Sequence, residues 1–158
     1  MAKRKYRAVV TGATRGIGYA IAERLVKDGI EVIATGTSED ADYPDGASYY
    51  PVDFLDDSRV EAFVEYLKQQ KIDILVNNAG INKIDEFANI DIDDFDRILK
   101  VNLRTPFLLC QAVIPHMKEN SWGRIVNITS IFGNVTKEYR VSYSSSKFGL
   151  DGMTVALA

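Results

Sequence analysis

Tyr143 and Lys147 lie four residues apart in the stretch YSSSK. On a helix, positions i and i+4 are neighbours, so a phenol and an ammonium would share one face there. A phenol titrates near ~10 in water and transfers protons poorly at neutral pH. An adjacent positive charge favours the phenolate and suits the group to general acid and base work. Taken alone, the same spacing also describes an ordinary surface pair. A second stretch, TGATRGIG from Thr11 to Gly18, has the chemistry of an anion cradle. Gly12 permits a tight turn, Gly16 lets a phosphate approach the backbone, and Gly18 allows a helix to pack closely on a strand. The free N–H groups and positive dipole end of the following helix would then face the anion. Its G-x-x-x-G-x-G spacing is wider than the common G-x-G-x-x-G, and an ordinary glycine-rich turn would read similarly. Asn102 is a third candidate, because Pro106 follows four residues later. Proline has no N–H to give the carbonyl at i−4, which leaves that of Asn102 free to hold a water, or marks a simple proline kink.

These residues need a scaffold, and the chain supplies one by alternating β-branched runs with helical ones. YRAVV, EVIAT, ASYYPV, IDILVNNAG and GRIVNITS read as five strands. A helix carrying Ile17, Ala20, Ile21, Leu25 and Val26 on one face follows the first, and Gly29 stops it. Only a turn-rich link with Pro44-Asp45-Gly46 joins the second strand to the third, so no helix is expected there. Asp57 or Ser58 can cap the next helix, whose face is Val60, Phe63, Val64 and Leu67. A long helical region from about 91 to 118, interrupted by Pro106, precedes the fifth strand, and residues 140–158 read as a final helix. Near-continuous apolar strands alternating with helices imply an α/β protein with a parallel sheet covered on both faces. Any other α/β layer protein would share that pattern, so the loops decide the function.

The 158 residues make one domain, 1–158. A hydrophobic content of 46% with 26% charged residues is that of a soluble globular protein, and a net charge of −3 gives no reason to expect nucleic acid or membrane as partner. The basic start MAKRKYR is followed by a glycine-broken stretch too short for a signal sequence. One cysteine, Cys110, excludes an intramolecular disulfide and fits a reducing compartment, which makes the cytoplasm the expected location. It reads as a small buried apolar residue, and His116, the one histidine, as a residue packed near a helix end; neither is assigned a role.

TGATRGIG, NNAG (Asn77–Gly80), Asn102, Ser130 and YSSSK, in that order and at those intervals, resemble the short-chain dehydrogenase/reductase family. More narrowly, they resemble its compact branch, which includes the 3-oxoacyl-acyl-carrier-protein reductases. The resemblance runs from Arg7 to the C-terminus and implies a Rossmann-type doubly wound sheet. It implies a catalytic set of Asn102, Ser130, Tyr143 and Lys147. The tyrosine would exchange a proton with the substrate oxygen and Ser130 would hydrogen-bond that oxygen. Lys147 would hold the nicotinamide ribose, and the Asn102 carbonyl would anchor a water leading to the lysine. Cofactor contacts carried over are Gly12, Thr14, Arg15, Gly16, Ile17, Gly18, Thr37, Asp53, Phe54, Asn78, Ala79 and Gly80, with Tyr143 and Lys147.

An NAD site usually has an acidic residue just after the second strand to hold the adenosine ribose. Here Thr35-Gly36-Thr37-Ser38 precedes the first carboxylate, Glu39. Thr37 and Ser38, with Arg15, can instead bind a 2′-phosphate by charge-assisted hydrogen bonds. NADP(H) is therefore expected over NAD(H), with Glu39 the complication and a solvated Arg15 the alternative. The resemblance implies a small-molecule or acyl-carrier-bound carbonyl substrate, a 3-oxoacyl thioester by class, and a homodimer or homotetramer through the helices at 91–118 and 140–158. Members of the family continue with further strands and a substrate loop, so a C-terminally truncated sheet is expected, with the fifth strand left as an apolar edge. A chain of that extent would be poorly soluble and essentially inactive alone; the alternative function is a nucleotide-binding module without turnover.

Overall fold

The computed structural model describes residues 5–158, so the first four residues of the basic start lie outside it. Five parallel strands, β1 (Arg7–Val10), β2 (Glu31–Gly36), β3 (Ser48–Pro51), β4 (Ile74–Asn77) and β5 (Arg124–Asn127), form one sheet in the order β3-β2-β1-β4-β5. Five α-helices accompany them: α1 (Gly16–Lys27), α2 (Asp57–Gln70), α3 (Ile92–Leu99), α4 (Thr105–Glu119) and α5 (Val141–Leu157). This is the α/β, Rossmann-type doubly wound sheet.

The period-2 pattern of the strands sorts side chains between two cores. In register, Ile33, Val9, Leu75 and Ile125 form a row that packs under Phe63 and Leu67 of α2 and Leu109 and Val113 of α4. The alternate residues Ala8, Val10, Val32, Ala34 and Val76 face Ile21, Leu25 and Val26 of α1. That second row runs on to Val126 of β5, which is exposed. β5 is an edge strand, as expected.

α1 ends where Gly29 requires it to. Gly29 takes a positive φ of 80°, its N–H reaches Val26 O at 2.9 Å, and the Ile30 N–H reaches Leu25 O at 3.0 Å. The link from β2 to β3 contains no helix, and the Ala47 N–H closes its turn on Pro44 O.

Two boundaries differ from the sequence reading. The cap of α2 is Asp56, whose Oδ1 accepts from the Ser58 and Arg59 N–H groups at 2.9 and 3.2 Å. Asp57, already helical, instead pairs with Lys100 and Arg104. The break in the 91–118 region is a π-helical turn at Lys100–Arg104, ahead of Pro106, which sits in the first turn of α4. Both the backbone N–H and the hydroxyl of Thr105 donate to Lys100 O, five residues back. Pro115 lies inside α4 without ending it.

The strand order reverses between β1 and β4. A crevice at the carboxyl ends of those strands is where such sheets bind ligands, and both loops of interest emerge there. Among the described residues, no helix is long and apolar enough to cross a membrane.

Candidate active site

The glycine loop leaves β1 at Gly12 and enters α1 at Gly16, both with positive φ (63° and 57°). A β-carbon on Gly18 would lie 2.2 Å from Gly12 O and 2.4 Å from Asn78 Nδ2, so helix and loop touch there. At Gly16 nothing lies within 4 Å of the same position, which leaves the backbone open to a ligand. The loop is tied to the one after β4. Thr11 Oγ1 accepts from the N–H groups of Asn78 and Ala79 at 2.9 and 3.0 Å, and Asn78 Nδ2 donates to the carbonyls of Thr11 and Gly12. Thr11 lies outside the residues expected from the sequence, although a hydroxyl between a strand and the first glycine is a visible cue.

Around this double loop lies a cavity of about 600 Å³. Gly12, Thr14, Arg15, Gly16, Ile17, Thr37, Asp53, Phe54, Asn78, Ala79 and Gly80 all line it, whereas Gly18 lies buried beneath. Arg15 is exposed at the start of α1 and its side chain makes no cap bond there. Asp53 Oδ1 holds the Leu55 N–H at 2.9 Å, which fixes the turn after β3. The Tyr49 hydroxyl donates to Ser38 O at 2.6 Å and steadies the segment carrying Thr37. Glu39 pairs with Arg59 at 3.6 Å and is not on the cavity wall.

A second cavity, of about 400 Å³, adjoins the first and shares Ile17, Asn78, Gly80 and Ile81 with it. Ser130, Tyr143 and Lys147 stand together on its wall. Lys147 is buried, and its Nζ sits 5.7 Å from the centre of the Tyr143 ring. The ammonium donates to Ile128 O at 2.7 Å, and its other two N–H groups have no acceptor among the described residues. Burial pushes the Lys147 pKa below the ordinary lysine value, against the opposing charge of Asp151. Ser130 Oγ accepts from the Phe132 N–H at 3.2 Å, which leaves its own O–H to donate into the cavity. The Phe132 ring meets Tyr143 edge-on at 6.4 Å.

Asn102 lines neither cavity. It is fully buried behind Gly80, whose added β-carbon would be 3.4 Å from Asn102 Oδ1 and 3.9 Å from Lys147 Nζ. Its amide pairs with the Ile81 backbone in both directions at 2.9 Å and donates to Ser146 Oγ at 3.0 Å. Ser146 in turn donates to Tyr143 O at 2.7 Å. The π-helical turn thus presents one amide that connects the β4 loop to the helical turn bearing Tyr143. Ser146, one of three plain serines in the sequence, lies outside the expected residues and joins Asn102 to the Tyr143 turn.

Cys110 and His116 stay outside the site. Cys110 is buried and its thiol is pushed up by that burial. His116 contacts Asp73 at 3.3 Å, and Asp73 precedes β4 at the opposite end of the strands. No group of metal-ligating side chains occurs among the described residues.

With that geometry in view, the comparisons with known proteins agree with one another. The short chain dehydrogenase family model matches residues 6–158. A 3-oxoacyl-[acyl-carrier-protein] reductase of Buchnera aphidicola is 41% identical over 96% of this chain and 65% of its own length. The crystal structure of a short-chain dehydrogenase from Streptomyces avermitilis superposes with a TM-score of 0.91 at 30% identity, covering 100% of this chain and 61% of that one. A metagenomic short-chain oxidoreductase in complex with NADP gives 0.87 at 30% identity, over 97% of this chain and 74% of that one. The chain therefore spans about two thirds of the length of the curated relative.

Proposed function

Because the chain belongs to the short-chain dehydrogenase family, we propose that it serves an oxidoreductase that reduces a ketone to a secondary alcohol with a nicotinamide cofactor. One observation carries this reading. The cavity holding Ser130, Tyr143 and Lys147 opens beside the glycine-loop cavity and shares four wall residues with it.

The open backbone at Gly16 and the 600 Å³ cavity suit a dinucleotide, whose pyrophosphate the loop and the start of α1 would hold. When bound, the nicotinamide supplies a hydride to the carbonyl carbon. Tyr143 protonates the carbonyl oxygen, with Lys147 nearby to favour the phenolate that remains. Ser130 donates its free O–H to the same oxygen and stabilises the developing charge. Lys147 has two uncommitted N–H groups for the ribose hydroxyls. The amide of Asn102 fixes the β4 loop and the Tyr143 turn relative to one another. Its carbonyl, which Pro106 cannot serve with an N–H, anchors a water leading to Lys147. Residues 1–158 act as one unit that binds cofactor and carries out proton transfer.

NADP(H) is the preferred cofactor. Arg15 and Thr37 line the wall where a 2′-phosphate would lie, while the Glu39 carboxylate pairs with Arg59. The NADP complex of a structural neighbour supports this choice. The substrate class is a 3-oxoacyl thioester, free or carried by an acyl carrier, on the strength of the Buchnera relative. Exposed Phe107 on α4 and Phe148 on α5 suit those helices to pairing of copies, as dimer or tetramer.

A second reading, a nucleotide-binding module without turnover, is favoured by one feature: Ser130 follows β5, the edge strand. The deciding experiment supplies NADPH and a short 3-oxoacyl thioester and looks for the 3-hydroxyacyl product. Formation of that product supports the reductase, and tight NADPH binding with no product supports the module.

A further inference from the structure

We propose that Arg140 makes the catalytic cavity a receptor for carboxylates, so that its substrates include short oxo acids as well as thioesters. The inference rests on the proposed roles of Tyr143 and Ser130.

Arg140 immediately precedes α5 and lines the same 400 Å³ cavity as those two residues. It lies one helical turn before Tyr143, which is about 4.5 Å of axial rise. Its guanidinium rests over the Phe132 ring at 5.4 Å, and that ring also touches Tyr143. A guanidinium is permanently charged and carries five N–H donors in a fork that matches a carboxylate. Here it has no hydrogen bond or ion pair among the described residues, and its Nε is buried without a partner. A carboxylate in the cavity would therefore take the outer N–H groups of the fork, which no other acceptor among the described residues occupies.

The rest of the wall points the same way. Lys147 is its other cation and already serves Ile128 O, and no carboxylate lines the cavity. Asp151 packs against Gly133 and is not on the wall. An electropositive, acid-free pocket within a turn of the proton donor suits an anion one or two carbons from the carbonyl. A phosphate on a long carrier arm offers the same chemistry but lies many bonds from the reacting carbon. In the reaction, the ketone carbon gains a hydride and its oxygen gains the Tyr143 proton. The reduced nicotinamide is oxidised in balance, and the carboxylate is unchanged.

The test compares wild type, Arg140→Gln and Arg140→Lys on 3-oxobutanoate, its neutral N-acetylcysteamine thioester and its coenzyme A thioester. Arg140→Gln should lower kcat/KM for 3-oxobutanoate at least 100-fold, mainly through KM, and leave the neutral thioester within threefold. Arg140→Lys should recover part of the loss. Calorimetric titration of 3-oxobutanoate in the presence of NADP should show the same ranking without turnover. The neutral thioester reports on folding and on the catalytic reading itself, because no carboxylate is involved. Equal losses on all three substrates, or an unchanged titration for Arg140→Gln, would overturn the proposal. A loss confined to the coenzyme A thioester would overturn it too, by assigning Arg140 to a phosphate.

Discussion

At the glycine-loop end of the groove, β1 and β2 have strands on both sides, and Ala8, Val9, Val10 and Ala34 are completely buried. At the end carrying Ser130, Tyr143 and Lys147, proposed as catalytic, β5 has a neighbour on one side only and Val126 is 45% exposed. The loop that follows β5 exposes Ile131 and Val135 and holds Tyr139, a non-glycine residue, at a φ of 67°. The nucleotide end is made of backbone and buried hydrogen bonds between two loops. The end proposed as catalytic carries side chains on a helix and a loop, and one buried amide ties that helix to the β4 loop. Binding should therefore be robust, and turnover should depend on a few contacts. Substitutions at the two ends should separate affinity from rate.

The largest expected effect is at the catalytic end. Tyr143→Phe should lower turnover about 10³-fold, the range for a lost general acid, with NADPH affinity nearly intact by fluorescence titration. Turnover within tenfold of wild type would remove Tyr143 from its role. Next comes the nucleotide end, where Gly18→Ala forces a β-carbon to within 2.2 Å of Gly12 O. Backbone must shift, so a loss of about 1–3 kcal/mol in urea unfolding should accompany weakened NADPH binding. Normal binding with normal stability would show that the contact yields freely.

Arg15→Ala should reduce the preference for NADPH over NADH by about tenfold or more, as a charged hydrogen bond of ~1.5–3 kcal/mol is lost. Equal losses with both cofactors would mean that Arg15 shapes the loop only.

Lys147 provides a pH test of the same contrast. Its folded pKa lies below the ordinary value, so the unfolded chain binds the extra proton over the interval between them. Stability of the cofactor-free protein should rise with pH through that alkaline interval, and the rise should vanish in Lys147→Met. A parallel profile for the two proteins would contradict the burial argument. The smallest effect belongs to the open edge. Val126→Thr should change stability by no more than about 0.5 kcal/mol while lowering aggregation measured by light scattering.

Much of this architecture was legible because it is periodic or local. The alternation of Val9 with Ala8 and Val10 assigns two faces, and Gly12, Gly16 and Gly29 take the positive φ their positions suggest. The Tyr143/Lys147 pairing is helical spacing and nothing more. The cap of α2 is Asp56 and not the expected Asp57 or Ser58, because all three are competent caps in the sequence. Which one serves depends on Lys100 and Arg104 arriving from a distant helix to take Asp57. The π-helical turn and the Asn102–Ser146 link were illegible for the same reason. They exist only once α4, α5 and the β4 loop are packed together, and no local pattern announces a buried amide's partners. Thr11 is similar, since its two N–H donors come from residues 67 and 68 positions away.

The central claim is that the two ends of the groove meet over one reacting carbon. Its most direct test is isotopic. The natural protein would be given NADPH deuterated at the transferable position of the nicotinamide, with a short 3-oxoacyl thioester. Deuterium on the carbinol carbon of the 3-hydroxyacyl product is the predicted result. A protein that binds NADPH at the glycine loop yet transfers no deuterium to that carbon would contradict it.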